Sequence, residues 1–224
     1  MKTAAVIVAA GRGSRAGGGV PKQWRPLLGE TVAAHSLRAF QRHPGIDQLV
    51  LVVHPDDSPA APWPDMPGLL VVSGGDTRSA SVLAGLAALE DRVQRVLIHD
   101  AARPCVSSEV IDGVLAALET AQAAAPAVPV VDALWTGADG LVTGTADRTG
   151  LFRAQTPQGF DLTKILAAHR DHPQGADDDV ALARLNGHRV SITPGDEDNL
   201  KITMPADFAR AERILRARDG HQTG

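Results

Sequence analysis

The chain has 224 residues, with 22 Lys plus Arg against 26 Asp plus Glu and a formal net charge of −4, so it can bury a substantial core but offers no broad basic surface for nucleic acid or membrane. Its single cysteine, Cys105, excludes an internal disulfide and a zinc cluster of several thiolates, and fits a reducing cytoplasm. Any anion site must therefore be local. In chain order, Lys2 to Ala10 reads as a buried parallel strand, being a continuous run of β-branched and small apolar residues that ends at glycine. It is too short for a signal h-region with its flanks or for a membrane span, and is read as core.

A glycine-rich turn follows directly, with glycines at 11, 13, 17, 18 and 19 and two cations, Arg15 and Lys22. Small side chains let backbone N–H groups approach anionic oxygens, so the segment can hold a polyphosphate. The P-loop pattern is absent because Lys22 follows Pro21 and precedes Gln23, and the dinucleotide fingerprint fails because Ala16 and a second glycine cluster follow Gly13. A flexible connection is the alternative, and the two cations count against it.

Further along, Ala33 to Gln41 reads as helix, Gln48 to Val53 as strand, Ser79 to Leu89 as helix, Arg95 to His99 as strand and Ser108 to Ala124 as helix. Ala127 to Val131 reads as a further strand. Five prolines between Pro55 and Pro67 mark an irregular surface loop. Ala127 to Phe160, broken at Gly137-Ala138-Asp139-Gly140, reads as a hairpin projecting from the sheet, and residues 217–224 as a frayed tail without apolar period. The alternation predicts one α/β domain over 1–224. Its mostly parallel sheet would carry helices on both faces and place Gly11, Asp100 and Asp132 in loops after strands, along the edge where such sheets bind ligands.

Two more segments gather polar groups. Ser73 to Ser81 sets Gly75, Asp76 and Ser81 at a helix start, either for ligand atoms or merely to cap the helix. His99-Asp100-Ala101-Ala102-Arg103-Pro104 ends a strand in a carboxylate that suits Mg²⁺ or ribose hydroxyls, or a turn. His35, His43, His54, His169, His172 and His188 show no metal spacing and read as surface or capping residues. Asp177 to Asp179 reads as a solvated helix N-terminus, and Cys105 as filling for core or loop.

Taken together, several blocks resemble the 2-C-methyl-D-erythritol 4-phosphate cytidylyltransferases of the non-mevalonate isoprenoid pathway. They are Ala9-Ala10-Gly11 with Arg15 and Pro21-Lys22-Gln23, Gly74-Gly75-Asp76 through Arg78, Ser81 to Leu86, and His99 to Pro104. Asp147-Arg148, Gln155-Thr156-Pro157-Gln158 and Asn199 to Thr203 continue the match. The resemblance implies a Rossmann-like nucleotidyltransferase that joins CTP to a sugar-alcohol phosphate. By it, Arg15 and Lys22 hold the triphosphate and stabilise the transition state, while Arg148 and Lys201 position the acceptor phosphate. Ala9, Ala10, Gly11, Gly13, Gly75, Asp76 and Ser81 would surround the nucleotide. Asp100, Ala101 and Arg103 would lie at the ribose and metal, with Asp100 the Mg²⁺ ligand. The arm, residues 132–154, would pair two subunits in a homodimer that brings Arg148 to a neighbour's site and sets Trp135 at the interface or on a half-buried edge.

Two departures bear on the acceptor. The family's Asp-Thr reads Asp132-Ala133 here, and its Thr-Asp-Asp/Glu reads Asp177-Asp178-Asp179, which removes two hydroxyls and adds a carboxylate. They keep two alternatives open, a cytidylyltransferase acting on ribitol 5-phosphate and a non-catalytic CTP-binding subunit. Retention of both Arg148 and Lys201 speaks for turnover.

Overall fold

Strand β1 (Thr3–Val8) lies between β4 (Gln48–Val53) and β6 (Arg95–Asp100), parallel to both, and β5 (Leu69–Ser73) extends the sheet beyond β4. On the other side, β11 (Gln158–Asp161) runs antiparallel to β6 and to β7 (Ala123–Pro129), so β6 and β7 point the same way. Beyond β7 lie β10 (Phe152–Ala154), antiparallel to it, and β12 (Ser191–Pro194), parallel to it. Only β10 and β11 oppose the rest, and the sheet is mostly parallel as expected. The computed structural model describes residues 1–12, 19–57 and 63–222, with side chains through 218.

The period of two along β1 builds both faces of this sheet. Ala4 and Val6 point to one face, with Val50, Val52, Val96, Ile98 and Phe160, under helices α2 (Arg78–Ala87), α4 (Leu162–Asp171) and α5 (Asp179–Leu185). Ala5 and Ile7 point to the other, with Leu49, Leu51 and Leu97, under α1 (Val32–Gln41) and α3 (Ser108–Ala117). Each fully buried Leu, Ile or Val contributes about 1.5–3 kcal/mol over exposure, which is why one continuous apolar run serves two cores. Gly85 lets α2 approach closely, since a Cβ there would stand 2.7 Å from Val6 and 2.8 Å from Val52. Side-chain oxygens of Thr31, Thr77, Asp161 and Asp178 accept the first exposed N–H groups of α1, α2, α4 and α5. A third cluster packs Leu27, Val32, Cys105 and Ile202 against Ala211 and Ile214 of α6 (Pro205–Gln222).

Three expectations are corrected. The helix expected to reach Ala124 ends at Ala117, and Ala123 to Ala127 are strand β7. Alanine favours helix, but burial between β11 and β12 overrides that local preference. The tail expected from 217 is helical as far as Gln222, because Arg218 donates to the Cys105 carbonyl at 2.6 Å and pairs with Asp196 at 3.1 Å. His43 and His169 are 4% and 2% exposed rather than surface residues, and Asp179 is 1% exposed rather than solvated.

The projecting hairpin is formed by β8 (Leu134–Ala138) and β9 (Leu141–Ala146), with Asp139 and Gly140 both at positive φ in the turn. Two short strands, β2 (Pro26–Leu27) and β3 (Glu30–Thr31), form a separate ribbon. No helix among the described residues is long and apolar enough to cross a membrane.

Candidate active site

From β1 the chain passes to β4 and β5 on one side and later to β6 on the other, so the order reverses between β1 and β6. A cleft of about 410 Å³ opens there, at the carboxyl ends of the strands. Ala9, Ala10 and Gly11 after β1 line it, with Asp100 and Ala101 at the end of β6. Asp76 and Ser81 reach it from the start of α2, Lys22 from the short 3-10 helix Lys22–Trp24, and Lys201 from the loop before α6.

Each wall is fixed by buried or partly buried hydrogen bonds. Gln23, 3% exposed, donates from one amide nitrogen to the carbonyls of Ala9 at 2.6 Å and Gly11 at 2.7 Å, which holds the loop as it leaves β1. Ser81 Oγ contacts the Gly75 backbone and donates to the Thr77 carbonyl at 2.9 Å, shaping the turn into α2. Gly74 permits this turn, because a Cβ there would lie 2.5 Å from Ser81 Oγ and 2.9 Å from the Ala10 methyl. On the far wall Asn199, fully buried, donates to the Thr156 carbonyl at 2.8 Å, and the Arg103 guanidinium donates to the Asn199 carbonyl at 2.7 Å. The Ile202 N–H donates to the Ala102 carbonyl at 2.8 Å, so the backbone on both sides of Lys201 is pinned.

Charge converges on Asp100. Its Oδ2 pairs with Lys201 Nζ at 2.8 Å and lies 3.8 Å from Arg103 Nε, while Oδ1 lies 3.8 Å from Arg78. Burial pushes the Asp100 carboxyl up, but Lys201, Arg78 and Arg103 outweigh it and hold the group well below the usual carboxylate range. Behind it, the Thr156 hydroxyl accepts from the Asp100 N–H at 3.2 Å and meets His99 Nδ1 at 3.0 Å. Burial holds His99 down at about 4, so its ring is neutral at pH 7. A neutral ring whose Nε2 donates to the Arg103 carbonyl at 3.1 Å leaves Nδ1 to accept the Thr156 proton.

A cleft of small apolar and charged side chains at a strand-order reversal, with a fixed carboxylate among cations, suits a nucleotide and its phosphates. The family model for 2-C-methyl-D-erythritol 4-phosphate cytidylyltransferase matches residues 3–217. The chain belongs to that family. It is a nucleotidyltransferase, as the members of that family are. A protein of that name from Roseobacter denitrificans is 68% identical over 221 residues, covering 99% of this chain and 100% of its own. Another from Cereibacter sphaeroides is 59% identical, covering 96% and 97%. A solved 4-diphosphocytidyl-2C-methyl-D-erythritol synthase matches at a TM-score of 0.83 with 33% identity over 96% of this chain and 98% of its own.

Not every residue expected at the site meets in the cleft. Arg103 is buried behind it, tied to the Asn199 and Ala154 carbonyls. Arg148 stands exposed between the arm and β10, and does not line the cleft of its own chain. Gly75 lies under Ser81 rather than on the lining, and Gly13 and Arg15 fall outside the described residues. Five lining residues were absent from the expected set, the apolar Val8 and Ala102 and three polar ones. Arg12 is held by Asp56 at 2.7 Å and Asp57 at 3.1 Å, Gln23 anchors the loop, and Arg78 bridges two carboxylates. Gln23 and Arg78 stood inside the quoted blocks, yet a spacing does not tell an anchor from a ligand.

Proposed function

We propose that this chain transfers CMP from CTP to 2-C-methyl-D-erythritol 4-phosphate, giving 4-diphosphocytidyl-2-C-methyl-D-erythritol and pyrophosphate. The observation that carries the reading is the meeting of Lys22, Asp100 and Lys201 in one cleft of a chain matched by the family model over residues 3–217. A phosphate oxygen of the acceptor attacks the α-phosphorus of CTP. The bond from that phosphorus to the bridging oxygen breaks, and pyrophosphate leaves with the electron pair.

Such a transfer needs positioning and charge stabilisation rather than a nucleophilic side chain. Lys22, with Arg15, meets the triphosphate charge as it develops. Ala9, Ala10, Asp76 and Ser81 frame the cytosine, with Gly75 shaping the turn behind Ser81. Lys201, and Arg148 from a neighbouring subunit, receive the acceptor phosphate. The exposure of Trp135, Leu141 and Val142 on the arm supports a homodimer paired through it.

Mg²⁺ fits the donor set in one way only. No three His, Cys, Asp or Glu side chains gather among the described residues, so the protein would give one carboxylate and the triphosphate and water would give the rest. Asp100 is ionised, and its Oδ1 lies 3.8 Å from the nearest ion-pair partner. When bound, the cation neutralises triphosphate charge. The chain is assigned to the cytoplasm, with no nucleic-acid or membrane partner.

The test is pyrophosphate release with CTP and Mg²⁺, offering 2-C-methyl-D-erythritol 4-phosphate and ribitol 5-phosphate separately. Release with the erythritol phosphate alone is expected. Release only with ribitol 5-phosphate, or CTP binding without release, would reinstate one of the alternatives that family membership disfavours.

A further inference from the structure

Behind the cleft, α2, α4 and α5 meet at a buried cluster that the reaction as described does not use. Asp179, the first residue of α5, is 1% exposed, and its two carboxylate oxygens have different partners. Oδ2 accepts from Arg78 Nη2 at 2.8 Å, and Oδ1 accepts from His169 Nε2 at 3.1 Å. His169, 2% exposed on α4, is hydrogen-bonded through Nδ1 to Ser79 Oγ at 3.2 Å. Neither His169 nor Asp179 lines the cleft, whereas Arg78 does. The same Arg78 nitrogen lies 3.8 Å from Asp100 Oδ1, and Asp100 holds Lys201 at 2.8 Å. Charges of alternating sign thus run from the buried helix junction to the wall of the cleft.

Arg78 has two carboxylates within reach and sits close to one of them. With Asp179 replaced by asparagine, Asp100 is the carboxylate left within ion-pair reach of the Arg78 guanidinium among the described residues. Closing the 3.8 Å gap would bring it into competition with Lys201 for the same carboxylate. We infer that His169 and Asp179 are positioning residues for the transfer: His169 fixes the Asp179 carboxylate, Asp179 holds Arg78 back from Asp100, and Asp100 is left to aim Lys201 at the acceptor. The inference rests on the reading of Lys201 given under the proposed function. It explains why a carboxylate and an imidazole are buried where an apolar pair would pack more simply.

The experiment measures kcat, acceptor KM, CTP affinity by calorimetry and Tm in Asp179→Asn, His169→Gln, His169→Phe and Lys201→Ala. A displacement of about 1 Å at a reacting group costs on the order of 100-fold in rate, so Asp179→Asn should lower kcat over acceptor KM by about 10- to 100-fold. CTP affinity measured without Mg²⁺ should fall far less than kcat over acceptor KM, since Lys22 and the loop after β1 are untouched even though Asp100 is not. His169→Gln keeps an N–H donor near the Nε2 position and should retain most activity, whereas His169→Phe should resemble Asp179→Asn. Equal losses of CTP affinity and turnover, or equal effects of the two His169 substitutions, would overturn the inference. A loss in Lys201→Ala beside parental kinetics in Asp179→Asn would overturn it alone. Unchanged turnover in Lys201→Ala would overturn the reading of Lys201 and this inference with it.

Discussion

His99 shows how a side chain that touches no ligand can shape a site. Fully buried and tilted against the Phe40 ring at a centroid distance of 4.9 Å, it binds the Thr156 hydroxyl that in turn holds the Asp100 N–H. Its folded-state value of about 4 lies below the 6.5 of an ordinary histidine. Below pH 6.5 the unfolded chain takes up a proton that the folded chain refuses. Stability should therefore fall by about 1.4 kcal/mol per pH unit from this group, levelling off near pH 4. Urea denaturation of the parent and of His99→Gln at pH 7.5, 6 and 5 checks this, and an equal slope in both would assign the loss to other groups. The sequence placed His99 beside Asp100 but gave no sign of its role, because its partners are 4 and 57 residues away.

At the scale of elements, regular periodicity was legible and its limits were not. The apolar runs of β1, β4 and β6 and the turn glycines of the arm are local signals, and those elements stand where they were expected. The alanine run of β7 carries no period, so only its place between β11 and β12 makes it a strand. α6 likewise extends past the expected break because Arg218 is tied to Cys105 and Asp196. The arm exposes Trp135, Leu141 and Val142, apolar side chains that a single chain leaves uncovered. If the arm pairs two subunits as proposed, Trp135→Ser with Leu141→Ser should shift the dimer toward monomer in sedimentation velocity, and should lower turnover if Arg148 serves a neighbouring site. An unchanged dimer would place the interface elsewhere.

For the molecule as a whole, the cleft proposed for CTP exists in the folded chain and not in the unfolded one. CTP at 100 times its Kd should add about 2.7 kcal/mol of stability by mass action, which raises Tm by about 5–10 °C for a chain of this length. Calorimetric scans with rising CTP check this, and a Tm that ignores CTP would contradict the assignment of the cleft.

By itself the sequence determined the fold class and the order of the central elements, since apolar period and glycine turns are local properties of the chain, and its resemblance to the family pointed to most of the residues that line the cleft. Only the tertiary structure decided that Asp179 and His169 are buried and joined to Arg78, that Arg103 braces Asn199 rather than lining the cleft, and that Arg148 lies apart from it. These facts depend on residues up to 101 positions apart being brought within hydrogen-bond reach. Burial sets the charge and partners of such groups, and burial is a property of the packed helices and sheet, not of any segment alone.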